Sequence, residues 1–167
     1  MSGNPLAIAL KGFALVAPTI LDFISVCRQL PADERRQLEA FEGAPYVADE
    51  VAVRFAASAG PRWALVTAPG AQPVIIGGFT WVRQGVWQDW LLSTPAAWDQ
   101  HWRTVSKVCR RIMDRMVGNE AHRLQCIALA DRTSAHAWYR ILKYDFEGRL
   151  RKFGAKGEDA VVYGRVR

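Results

Sequence analysis

The stretch Arg132-Thr-Ser-Ala135-His-Ala-Trp138-Tyr139-Arg-Ile-Leu142-Lys-Tyr144-Asp-Phe-Glu147-Gly148-Arg-Leu-Arg151 decides how this chain of 167 residues is read. Thr133 to Leu142 spaces its apolar residues as a short helix does, with Thr133 or Ser134 as cap. Small Ala135 lets that helix come close to a sheet, and Tyr139 and Leu142 turn inward one turn apart. Tyr144 then plugs the core where the chain leaves for a strand, Phe146–Phe153. The turn Gly154-Ala-Lys-Gly157 leads to a second strand, Ala160–Val166.

Upstream stands another strand, Leu124–Ala130, and before it the clearest helix of the chain. Trp98, Trp102, Val105, Cys109, Ile112 and Met116 form one apolar stripe, so a single helix is expected from a Thr94 cap and Pro95 first turn to Gly118-Asn119. Trp63–Thr67, Pro73–Val82 and Val86–Leu92 are β-rich runs parted by Pro69-Gly70 and Gln84-Gly85, a three-strand meander. Phe13–Val16 is an opening strand. Helices are expected at Pro18–Leu30, from Pro31 to about Phe41 and from Asp49 to Ala59.

Composition bounds the rest. Half of the residues are hydrophobic and 23% are charged, a globular balance. A single domain over 13–167, preceded by an arm at 1–12, is expected. Cys27, Cys109 and Cys126 read as separate buried thiols, and their spacing matches no metal site. No run reaches a membrane-spanning length and no basic leader opens the chain, so a soluble, unexported protein is expected. Charge is uneven: residues 1–100 hold seven Lys and Arg against nine acids, whereas residues 101–167 hold fifteen against seven. Such a basic half suits a phosphorylated cofactor, nucleic acid or an acidic protein.

The order strand, two helices, three strands, long helix, strand, helix, two strands resembles the GNAT superfamily of N-acetyltransferases. The quoted stretch is similar to the family's late motif, Asn-x-x-Ala-x-x-Leu-Tyr-Glu-Lys-Leu-Gly-Phe. The resemblance implies an α/β fold with a central mixed sheet of six to seven strands flanked by helices, in which Trp87–Leu92 and Leu124–Ala130 are adjacent, parallel and splayed. It also implies acetyl-CoA between them, its pyrophosphate held on amides at the start of the long helix, here Leu92, Thr94, Ala96 and Ala97. The family fills that place with a glycine loop. This chain has Ser93-Thr-Pro-Ala-Ala-Trp-Asp-Gln-His101 instead.

From Ile75 onward the chain also resembles small GNAT-like proteins of short-tailed bacteriophages, which lack the glycine loop too. That resemblance implies a virion component, internal, portal- or tail-associated, found in the host cytoplasm during assembly, without catalysis or cofactor. Its partners would be other virion proteins, packaged DNA or a second copy. The alternative is an active acetyl-CoA-dependent N-acetyltransferase, and a third class is non-specific nucleic-acid binding.

The resemblance makes Tyr139 the general acid that protonates a departing thiolate. His101, His122 and His136, and the acids Asp89 and Glu147, are candidate bases, with no geometry to choose among them. Trp81, Trp87, Trp98 and Trp102, together with Arg103, Lys107, Arg110 and Arg111 on the basic helix face, form a candidate interface, since interfaces favour Trp and Arg anchors.

Overall fold

In the computed structural model, which describes residues 12–167, seven strands form one mixed sheet in the order β1-β2-β3-β4-β5-β7-β6. The elements are β1 (Ala14–Val16), α1 (Ile20–Arg28), α2 (Ala32–Glu42), α3 (Ala48–Ala57), β2 (Arg62–Val66), β3 (Pro73–Arg83), β4 (Val86–Ser93), α4 (Pro95–Asp99), α5 (Trp102–Asn119), β5 (Arg123–Leu129), α6 (Thr133–Ile141), β6 (Asp145–Leu150) and β7 (Ala160–Val166). β4 and β5 are adjacent and parallel. The β1–β2, β2–β3, β5–β7 and β6–β7 pairs are antiparallel. The helix-flanked mixed sheet expected from the sequence is the one observed. Most of the expected arm, residues 1–11, lies outside the described residues.

Two compact units divide the described chain, residues 12–31, 47–80 and 90–108, and residues 32–46, 81–89 and 109–167. In the first, α1 opens with a capping box. Asp22 N–H donates to Thr19 Oγ1 at 3.3 Å and Thr19 N–H donates to Asp22 Oδ2 at 2.7 Å, pairing two of the amides a helix start leaves free. Arg28 grips Asp49 through Nε and Nη2 at 2.9 and 2.8 Å, tying α1 to α3. Phe23, Val26, Val51, Trp63, Leu65, Ile75, Phe79 and Leu92 fill this core.

Adjacent glycines on β3 make room for two indoles. A Cβ on Gly77 would sit 2.5 Å from Trp63 Cζ2, and one on Gly78 would sit 2.2 Å from Trp90 Cζ2. Neither ring can retreat easily, because Trp63 is fully buried and Trp90 lies against Phe23 and Phe55 at centroid distances of 6.3 and 4.8 Å. Gly78→Ala is therefore expected to destabilise by about 1–3 kcal/mol, as overpacking does, and thermal unfolding should show a Tm lower by several degrees.

In the second unit, β5 is held on both sides, by β4 and by a seven-residue ladder with β7 from Arg123↔Val166 to Leu129↔Ala160. α2 ends at Gly43, in the left-handed region at φ +70°. Gln37 Oε1 accepts from Leu129 N–H at 3.0 Å and from Arg132 Nη1 at 2.9 Å, which joins α2 to the end of β5 and the start of α6. Arg132 also pairs with Asp33 at 2.9 Å.

One expectation needs correction. The single helix from Thr94 onward is two, α4 and α5, parted at Gln100-His101. Thr94 spends both its backbone N–H and its hydroxyl on Val74 O, each at 3.0 Å, so its side chain caps no helix. Arg132, without a side-chain cap, stands where Thr133 or Ser134 was expected to start α6. Among the described residues no helix is long and apolar enough to cross a membrane.

Candidate active site

The second unit contains the point where β4 and β5 part. Their ladder covers Val86↔Arg123, Trp87↔Leu124 and Gln88↔Gln125, three positions only, and Gln125 Nε2 lies 3.5 Å from Gln88 Oε1 at its last rung. Asp89 follows directly. Tyr144 donates its hydroxyl to Asp89 Oδ1 at 3.0 Å and lies 3.4 Å from Met113 Sδ. A carboxylate set among apolar and thiol side chains loses its hydration, which disfavours its charge. Desolvation accordingly lifts Asp89 to about 7, against the weaker downward pull of the Tyr144 hydrogen bond, a backbone hydrogen bond and the Arg165 charge.

The groups around it move the same way. Burial pushes the Cys109 and Cys126 thiols and the Tyr139 and Tyr144 phenols upward, with the Asp89 charge adding to each. All four keep their protons at neutral pH. Within this cluster, proton exchange near pH 7 therefore falls to Asp89, which suits a general acid or base.

Local structure fixes the partner. α6 closes in a Schellman turn, in which Tyr144 N–H donates to Tyr139 O and Lys143 N–H to Arg140 O, each at 3.0 Å. Lys143 takes the left-handed conformation there, φ 64°, where glycine is the usual choice. Tyr144 is thus set at the exit of the turn and its ring is buried. Sequence reading treats Tyr144 as a core plug; its hydroxyl on Asp89 is what that reading misses.

Of the other candidates, Tyr139 alone lies beside this cluster. Tyr139 packs 6.3 Å from the Tyr144 ring and 5.3 Å from Tyr163. His136 stacks on Tyr163 at 5.6 Å with Nε2 3.2 Å from Ala130 O, and His101 packs edge-on against Phe13 at 5.2 Å. His122 is exposed, beside Gly85. Glu147 is bound by both guanidinium nitrogens of Arg123, which hold its carboxyl below the usual range, so it is an ion-pair partner and a poor base.

Of the four residues expected to cradle a pyrophosphate, Leu92, Thr94 and Ala97 are buried and Ala96 is half-buried. Ala97 N–H is spent on Thr94 O at 3.0 Å. α5, of eighteen residues, is different: its first turn carries no acid, and Trp102 and Arg103 at its start are exposed, Arg103 lying 5.2 Å over the Trp102 ring. Trp81 is exposed, whereas Trp87 and Trp98 are half-buried, Trp98 Nε1 donating to Ser93 Oγ at 2.7 Å. Lys107, Arg110 and Arg111 are exposed on α5. Among the described residues no group of His, Cys, Asp or Glu gathers to hold a metal ion.

No protein-family model matches the chain, and no curated protein matches it in sequence. Solved structures do match. An acetyltransferase of the GNAT family from Bacillus anthracis superposes with a TM-score of 0.71 at 11% identity, over 95% of this chain and 97% of that one. The chain has the GNAT fold. Two further GNAT-fold neighbours were solved with acetyl-CoA. The Sinorhizobium meliloti phosphinothricin acetyltransferase has a TM-score of 0.67 at 15% identity, covering 93% of this chain and 89% of that one. The microcin C7 self-immunity acetyltransferase, bound to acetyl-CoA and AMP, has a TM-score of 0.73 at 10% identity, covering 95% and 94%.

These neighbours overturn the first functional expectation. Each is named an acetyltransferase and none is a phage or virion protein, so the non-catalytic virion component gives way to the acetyltransferase alternative.

Proposed function

We propose that this chain is an acetyl-CoA-dependent N-acetyltransferase with Asp89 as its general base. The observation that carries the reading is the Asp89 carboxyl, lifted to about 7 and hydrogen-bonded by Tyr144, directly after the last rung of the parallel β4–β5 ladder. Bound acetyl-CoA supplies an acyl thioester as acetyl donor.

The cofactor's pyrophosphate does not fit the Thr94–Ala97 turn, where Pro95 has no N–H and the Thr94 and Ala97 amides are already given to carbonyls. The amino end of α5 fits it. Amides of a long helix's first turn point at an anion, the helix dipole favours it, and Arg103 adds a positive charge without a neighbouring acid in that turn.

Asp89 as carboxylate takes the proton that an ammonium acceptor must lose before its nitrogen can attack. Tyr144 holds the carboxyl through Oδ1. Tyr139, kept protonated, is the candidate acid for the leaving thiolate.

Calorimetric titration with acetyl-CoA tests the reading at its first step. Binding in the micromolar range is expected, weakened about tenfold or more by Arg103→Glu through charge reversal at the helix start. Silence up to millimolar acetyl-CoA, together with no thiol release against a panel of amines and peptide N-termini, would overturn it.

A further inference from the structure

Arg165 is a buried cation that acetyl transfer itself does not call for. It lies on β7 at 9% exposure, donates from Nη1 to Leu142 O at 3.0 Å and from Nη2 to Asp114 Oδ1 on α5. Leu142 is the residue at which α6 ends, two before Tyr144. The guanidinium therefore clamps the carbonyl of the turn that aims Tyr144, and secures the clamp to the helix that carries Cys109 and Met113.

A rigid fork between a carbonyl and a carboxylate is work that lysine cannot copy, because its ammonium is a point donor. Burying a guanidinium is costly unless both its charge and its donors are used. The charge has a second target. The groups that act with Asp89 come from each element around it: Cys109 and Met113 on α5, Cys126 on β5, Tyr139 on α6, Tyr144 before β6 and Arg165 on β7. Every one of them is neutral or acid-forming except Arg165.

We propose that Arg165 is a positioning residue of this site, one that holds Tyr144 against Asp89 through Leu142 O and brings a positive charge to the same cluster. The proposal rests on the reading of Asp89 as general base, and it concerns what sets that base's working range. Without the guanidinium, desolvation of Asp89 goes less opposed, and the pH at which it ionises rises.

The test is a carboxyl-carbon NMR titration of Asp89 in the whole chain, with the pH profile of acetyl transfer recorded alongside. In Arg165→Met the Asp89 midpoint is expected to rise by up to about one pH unit, with turnover at pH 7 reduced by up to about fivefold and largely recovered at pH 9. Arg165→Gln, which still offers an N–H to Leu142 O, is expected to give the same rise and serves where the Met variant does not fold. Arg165→Lys, which keeps the charge without the fork, is expected to bring the midpoint back only in part. A folded Met or Gln variant whose Asp89 titrates as in the parent would overturn the proposal. The NMR signal does not depend on turnover, so a parent that transfers no acetyl group would refute the enzyme reading and leave this titration to be judged by itself.

Discussion

Asp89→Asn should reduce kcat/KM by roughly a hundred- to ten-thousandfold, the range that loss of a positioned base commands, while leaving the fold intact. Asn keeps an oxygen for the Tyr144 hydroxyl, so the hydrogen bond at 3.0 Å survives the change. What disappears is the ability to take a proton. If Asp89 is the base proposed, the carboxylate is the active form, and its midpoint at about 7 makes activity rise as pH increases through neutrality. Steady-state rates from pH 5 to 9 should show one ascending limb near 7 that is missing from the residual activity of the variant. An ascending limb kept unchanged in Asp89→Asn would assign the proton transfer to another group.

The same carboxyl should make stability depend on pH in the direction opposite to that of a salt-bridged acid. Its folded midpoint is raised, so between pH 4 and 7 the folded chain holds a proton that the unfolded chain has lost. The contribution of Asp89 is thus most favourable below about pH 4, declines as pH rises, and levels off above 7. The full swing is on the order of 4 kcal/mol. Denaturant unfolding at pH 5 and pH 8 should find Asp89→Asn gaining on the parent by roughly 2–3 kcal/mol between the lower pH and the higher. The Asp49, Asp131 and Asp159 carboxyls, held low by Arg28, by Arg36 and by the Lys152 amide with Arg149, have the opposite sign. The difference between parent and variant isolates Asp89 from them.

Most of the fold was legible because its signals are local. Alternation marked β5 and β7, the glycines marked the meander turns, and the quoted stretch marked α6 and its exit. The break between α4 and α5 was not legible, since Trp98 and Trp102 continue the apolar stripe and no glycine or proline stands between them. Contacts from afar impose it: Thr94 is pinned to Val74 O, and His101 packs on Phe13. The site was half legible for the same reason. An acid on β4 could be named, but a carboxyl becomes a base near pH 7 through its surroundings. Here those come from Tyr144, fifty-five residues away, and from side chains on α5, β5 and β7. Tyr139 drew attention instead because it sits inside a recognisable pattern, which is a signal of packing before it is one of chemistry.

The three buried cysteines give this chain an internal clock. None is in a disulfide, and all three are buried. A thiol reagent therefore waits for local opening, and the labelling rate measures how often each neighbourhood breathes. Cys27 lies in the first unit, whereas Cys109 and Cys126 lie in the second beside Asp89. One sequence thus carries separate reporters for its two halves. Mass spectrometry of the alkylated chain, read cysteine by cysteine, would time the loosening around Asp89 without any engineered probe.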